Sequence, residues 1–268
     1  MQMARPSEPG AAADLVEDAT CFKRVRFTCL EDPCFGSYNP LLRAMSHSLA
    51  NLLMPVCEYP QLLQRLLPAE SPELDISTKM IAAADHLRQL NSELVRFCHG
   101  LEGEPVEINL VDLAHEVVNG LHEEMGTLLL PAIRIHAGAA PAGLTAPYEA
   151  AFHMIRDCCL HAFHAIEPPQ TIEITLGQLL LGKGGLAAQA ELHAGRFVLL
   201  RCTHDGRQPD EEEWADLFKP FARRCAHEWN MLGLSAVYRT VHHLQGALLR
   251  NTRRKQGNDL VALFPADL

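Results

Sequence analysis

At 268 residues, with 48% hydrophobic and 21% charged side chains, the chain has the composition of an ordinary folded protein of one or two domains. A net charge of -10 argues against a generic grip on DNA or an anionic membrane surface, because phosphate binding needs clustered Lys and Arg, and leaves room only for local basic patches. The nine cysteines are odd in number, scattered and without a CxxC pair, which argues against a disulfide framework or a tetrahedral zinc site and for buried reduced thiols.

No apolar run that could serve as a signal peptide follows Met1, and no segment reaches the roughly 20 apolar residues of a membrane span, so a cytoplasmic protein is expected. Residues 1–36 carry little pattern beyond Phe22 to Leu30, a short run that could add a strand; they read as a tail. Asn39-Pro40 is a start signal for a long helix, a side-chain cap followed by proline at the first helical position.

From there Leu42, Met45, Leu49, Leu52, Val56, Tyr59, Leu63 and Leu66 step alternately by three and four, a sustained heptad seam flanked by Leu41, Leu53 and Leu62. Pro55 and Pro60 interrupt it and predict a bend. Ser71-Pro72-Glu73 opens a second run of the same period through Ile76, Met80, Ala83, Leu87, Leu90, Leu94, Phe97 and Leu101, closed by Gly100 and Gly103-Glu104-Pro105. Two such helices make an antiparallel hairpin, half of a four-helix bundle that dimerisation would complete.

After Pro105 helices and strands alternate. The pattern predicts helices near 109–125, 147–166, 211–218 and 234–245, and strands at 133–136, 171–176, 187–193, 197–204 and 259–264. The expected class is α+β: a helical hairpin over 37–104, then an α/β sandwich over 105–268.

Several motifs fall in a recognisable order. Ser46-His47-Ser48-Leu49-Ala50-Asn51-Leu52-Leu53 lies in the first helix, Ala165 comes at the end of the helix near 147–166, and Leu217-Phe218-Lys219-Pro220-Phe221, Leu232-Gly233-Leu234-Ser235 and Gln245-Gly246 come later. Over about residues 38–266 the chain resembles the sensor histidine kinases, closest to the class whose phospho-acceptor box reads roughly H-D-F-N-N-L-L and whose second domain is a GHKL-type ATPase. The resemblance implies a bacterial two-component system, a homodimer through the hairpin, a response-regulator receiver domain as partner, and a sensor kinase as a further one.

The departures from that family lie at its nucleotide site. Asp157 and His161 stand where the resemblance puts the asparagine box, one amide of which helps hold magnesium; His204 replaces the adenine-reading aspartate in His204-Asp205-Gly206-Arg207-Gln208. Trp229, Met231 and Gly233 stand where a phosphate-facing lid carries more glycine, and glycines let backbone N–H groups approach phosphate without a Cβ in the way. With the adenine, metal and phosphate ends all altered, loss of ATP and magnesium binding is expected, leaving no cofactor and no resident metal. Asp205, one place out of register, could partly replace the lost carboxylate.

The hairpin keeps more of the pattern. His47 falls opposite the seam, and Asn51, four residues on, shares its face. A neutral imidazole keeps a lone pair for phosphorus near neutral pH. The resemblance implies that the acid after the histidine is the base for self-phosphorylation and that the asparagine at +4 serves phosphatase chemistry; here Ser48 has replaced the acid. The expectation is a histidine phosphotransferase or degenerate kinase using His47 and Asn51, with Arg43, Ser48 and Met54 meeting the partner. Two alternatives stand beside it: a non-catalytic adaptor that sequesters a regulator or kinase, and an ATP-dependent kinase with unorthodox ligands.

Overall fold

The computed structural model describes residues 19–26, 33–68, 70–99, 101–125, 132–165, 171–206, 209–219, 234–252 and 258–266. Two long helices come first, α1 (Pro33–Leu66) and α2 (Glu73–His99). The first begins at Pro33, six residues before the position expected at Asn39, and continues unbroken through Pro40, Pro55 and Pro60. Proline suits the first turn of a helix, where its missing N–H has no intrahelical partner, so Pro33 serves as the start that Pro40 was expected to provide.

The helices lie side by side and antiparallel. Ser77 Oγ donates to the Pro60 carbonyl at 2.7 Å, Gln64 Nε2 to Thr78 Oγ1 at 2.9 Å, and Cys57 Sγ approaches the Ala84 carbonyl at 3.8 Å. The track that faces across is Ser46, Leu53 and Pro60 on α1 and Ser77, Ala84 and Asn91 on α2, all buried. The expected seam is largely elsewhere. Leu49, Leu52, Val56, Tyr59, Leu63 and Leu66 on α1, with Ile76, Met80 and Leu87 on α2, remain exposed, Leu52 by 69% and Leu66 by 81%.

The remaining elements are β2 (Val106–Asn109), α3 (Leu110–Met125), β3 (Ala132–Ala137), β4 (Gly143–Ala146), α4 (Tyr148–Ala165), β5 (Thr171–Leu181), α5 (Gly185–Ala190), β6 (Gly195–His204), α6 (Glu211–Leu217), α7 (Leu234–His243), β7 (Ala247–Asn251) and β8 (Asn258–Pro265). With β1 (Phe22–Arg24), the described strands form one sheet in the order β1-β7-β8-β6-β5-β3; β2 and β4 pair separately. All neighbours are antiparallel except β3 and β5.

On one face of the sheet α3, α4 and α7 bury Leu113, Val117, Leu121, Met154, Ile155 and Val237 against Ile172, Ile174, Leu176 and Val198. The other face carries a second core, Leu179, Phe197, Leu199, Leu249, Val261 and Leu263, covered by α5 and the turn Ala19–Cys21. The strand expected at 187–193 is replaced by α5: Ala187, Ala188 and Ala190 have the strongest helix propensity, and Glu191 ends the helix in a left-handed conformation at φ 54°.

Residues 19–26 correct the expected tail. Phe22 and Cys21 are buried, β1 pairs with β7, and both Arg24 and Arg26 form ion pairs with Glu191. The described chain thus enters the six-stranded sheet with β1, leaves it for the helical pair and rejoins it at β3. No helix among the described residues is long and apolar enough to cross a membrane.

Candidate functional site

His47 sits in the fourth turn of α1 with its side chain exposed. Its neighbour Ser46 is buried and donates to the Leu42 carbonyl at 2.8 Å, while Ser48 donates to the Ala44 carbonyl at 2.9 Å. These hydroxyls are therefore engaged with their own helix. Asn51 Nδ2 lies 3.5 Å from His47 Nδ1, so the amide is set against that ring nitrogen and Nε2 is the one turned away from it. One turn toward the N-terminus Arg43 forms an ion pair with Glu102, which follows α2. Met54 is exposed further along α1.

Among the residues expected around a nucleotide, His161 and His204 come together: their rings meet edge-on with centroids 6.0 Å apart. His204 is buried, and its Nδ1 accepts the Gly206 N–H at 3.1 Å, so the imidazole closes the turn that follows β6. Burial, aided by His204 and His164, pushes the His161 imidazole down to about 3, so it is neutral at ordinary pH. The Asp205 carboxylate accepts from Thr171 Oγ1 at 3.5 Å on the adjoining strand, placing it on the sheet beside β5. Trp229, Met231 and Gly233 lie outside the described residues.

Asp157, one turn before His161 on α4, faces α2 and α7 and lines a cavity with Glu93, Arg96, Phe97, His153, Arg239 and Thr240. Arg96 Nη1 is 3.0 Å from His153 Nδ1, His153 Nε2 is 3.4 Å from Glu149, and the Arg239 guanidinium lies 4.8 Å over the Phe97 ring. Burial pushes the Asp157 carboxyl up to about 7 against the opposing pull of Arg96 and Arg156. Burial also takes His153 down to about 4, with Arg96 and Arg156 adding to the effect.

This polar contact joins the helical pair to the sandwich, and the sequence reading missed it. Its one signal is Glu93, a buried carboxylate beside the seam positions Leu90 and Leu94. Cys158, Cys159 and Cys202 are buried and reduced, with burial raising each thiol far from the reactive range. No group of residues suited to holding a metal ion occurs among the described residues.

The first Phe of Leu217-Phe218-Lys219 is a core residue, stacked 6.0 Å from Trp214 and edge-on to Tyr238 at 6.2 Å. Gln245-Gly246 ends α7: Gln245 takes φ 54°, and the Gly246 N–H bonds the Val241 carbonyl at 2.9 Å. A Cβ at Gly246 would stand 2.5 Å from the Leu263 carbonyl oxygen, so the sheet approaches too closely for any side chain.

No protein-family profile matches the chain. Among solved structures it is similar to full-length ShkA in complex with AMPPNP, with a TM-score of 0.65 and 17% identity over 84% of this chain and 45% of that one. It is also similar to the Acinetobacter baumannii histidine kinase AdeS, with a TM-score of 0.50 and 10% identity over 83% of this chain and 97% of that one. The chain therefore spans less than half the length of ShkA. The shared architecture of long helices followed by a mixed α/β sandwich shows that this chain has the fold of the sensor histidine kinases.

Proposed function

We propose that the protein is a two-component signalling protein of the cytoplasm that exchanges a phosphoryl group with a response-regulator receiver domain through His47, without binding ATP or magnesium in the usual way. The observation that carries this reading is the exposed imidazole of His47 with the Asn51 amide 3.5 Å from its Nδ1. As placed, the Asn51 Nδ2 faces Nδ1; the reactive form is the tautomer with its proton on Nδ1, which Asn51 holds once its amide rotates by half a turn, and Nε2 then keeps its lone pair. That lone pair attacks the phosphorus of a receiver's phospho-aspartate. The new N–P bond forms as the acyl phosphate P–O bond breaks, and the electron pair leaves on the aspartate carboxylate.

Ser48 supports transfer over self-phosphorylation. Its hydroxyl is tied to the Ala44 carbonyl and has none of the basicity of the carboxylate it replaces. Four placements speak against the usual nucleotide. His161 and His204 pack on each other, His204 is committed to the Gly206 N–H, Asp205 lies against Thr171, and Asp157 faces the helical pair. The adenine amino group and the bridging metal are thus left without the carboxylate and amide that the fold family brings to them.

The exposed apolar residues along α1 and α2 support a homodimer, since a continuous stripe of this kind is uncommon on a monomer and a second copy would bury it as a four-helix bundle. The receiver would dock on the face bearing Arg43, His47, Ser48 and Met54, where a sensor kinase could also bind.

Incubation with a receiver domain charged by acetyl phosphate tests this directly. Acid-labile label appearing on wild-type protein, and absent from His47→Gln, is expected. A complex that forms equally well with His47→Gln and carries no label at any time would favour the adaptor instead. Calorimetry with AMPPNP and magnesium should show no micromolar binding; clear binding would restore an ATP-dependent reading.

A further inference from the structure

We infer that Arg43 is the counter-ion of the phosphoryl group on His47, and that Glu102 holds this guanidinium while the histidine is unmodified. The inference rests on the reading of His47 as phospho-acceptor and names a residue that would touch the transferred group.

Three observations carry it. Arg43, His47 and Asn51 follow one another at intervals of four, so they form a column on one face of α1. Helical side chains lean toward the N-terminus of their helix, so the His47 ring extends over the turn that carries Arg43. Asn51 occupies the Nδ1 side of the ring, leaving Nε2 as the nitrogen available on the Arg43 side.

The second observation is one of charge. Along α1 the only Lys or Arg residues are Arg43 and Arg65, and Arg65 lies in the last turn. A phosphoryl group added at Nε2 brings about two negative charges to a helix that otherwise offers it one nearby cation. The guanidinium fork suits such an oxyanion, with two parallel donors for two oxygens.

The third is the ion pair itself. Glu102, half exposed, comes from the segment that joins α2 to β2 and reaches back across the pair to Arg43. The same guanidinium is therefore held in place before the phosphoryl group arrives. Exchange of one carboxylate for a phosphoryl group swaps like for like, and it releases Glu102 from the joint between helical pair and sandwich.

Potassium phosphoramidate serves as a probe that requires no partner. The Nε2 lone pair attacks phosphorus, the P–N bond of the reagent breaks, and ammonia leaves with the electron pair and a proton. His115, exposed on α3, supplies an internal reference for a histidine without this setting. Site-resolved mass spectrometry should show His47 labelled faster than His115 in the full chain. Arg43→Gln should slow labelling at His47 by about tenfold, the weight of one charge-assisted hydrogen bond, without changing His115.

Arg43→Lys should recover part of the rate, and Glu102→Gln should raise it by freeing the guanidinium. Unchanged His47 labelling in a folded Arg43→Gln protein would overturn the role of Arg43 while leaving receiver transfer intact. Equal labelling of His47 and His115 in the wild type would also overturn it. Failure of the separate receiver assay would bring down the phospho-acceptor reading itself.

Discussion

Asp157 stands where the resemblance to the histidine kinases puts an asparagine, and a carboxyl behaves differently there. An amide there would be neutral at every pH; a carboxyl buried beside Glu93, with its range moved up to about 7, is protonated in the folded protein where it would be ionised in the unfolded one. Its contribution to stability is therefore present below the ordinary carboxylate range and is lost as pH rises from about 4 through 7. His153 and His161 act in the opposite sense: each is held neutral when folded, so their contribution is present above about 6.5 and is lost as pH falls toward 4 and 3. Asp157→Asn should raise stability at pH 8 by about 2 kcal/mol while changing little at pH 4, as read from denaturant midpoints. An equal shift at both pH values would contradict the assigned ionisation.

At the same scale, Gly246 makes a sharp test of why the Gln245-Gly246 pair is present. Its missing Cβ is required by the Leu263 carbonyl at 2.5 Å, so Gly246→Ala should cost about 3 kcal/mol, well above the usual cost of one methyl group. Thermal unfolding measures it. A loss below about 0.5 kcal/mol would mean that the strand moves away freely.

Among the elements, helices α3, α4 and α7 were legible because their apolar residues repeat at helical spacing and bury one face against the sheet. The strands β5, β6 and β8 were legible through their β-branched and leucine-rich runs. Short β2 and β4 were not, since four residues offer too little alternation to distinguish a strand from a loop. Nor was β7, whose run Ala247–Asn251 is buried over its first four positions and so lacks a polar face.

The edge strand β1 shows the same limit. Phe22 to Leu30 gave a run of the right kind, but nothing in it reveals that the partner is β7, more than two hundred residues away. Phe22→Ala should cost about 3 kcal/mol, because its ring is buried in the second core and not in a mobile tail. Denaturation of the full chain would show this, and an unchanged midpoint would return residues 19–26 to the status of a tail.

For the whole molecule, the candidate site was legible in part. The column of His47 and Asn51 follows from helical spacing alone and keeps its geometry in the fold. The positions Asp157, His161 and His204 were grouped by resemblance; the His161 and His204 rings meet, while Asp157, one turn before His161 on α4, lines the cavity shared with α2 and α7. Periodicity identifies a buried face but not which of two neighbours covers it.

The heptad seam carries the same lesson at larger scale. The helical period was readable, but the buried track was not: within one chain Ser46, Leu53 and Pro60 face α2, leaving Leu49, Leu52, Val56 and Leu63 in solvent. The proposed dimer would cover the exposed track. Light scattering should give twice the 29.7 kDa chain mass, and Leu52→Glu should raise the dimer dissociation constant by roughly a hundredfold. A wild-type monomer at micromolar concentration would remove the bundle from the account.

In the proposed function His47 accepts a phosphoryl group from a receiver domain, and the protein does not take it from ATP. The most direct measurement follows acid-labile, base-stable label on the full chain during incubation with a phosphorylated receiver, alongside the same protein incubated with radiolabelled ATP and magnesium. Label confined to His47 in the first reaction and absent from the second is the predicted result. Label on His47 from ATP alone, or none from any charged receiver at equimolar concentration, would contradict it.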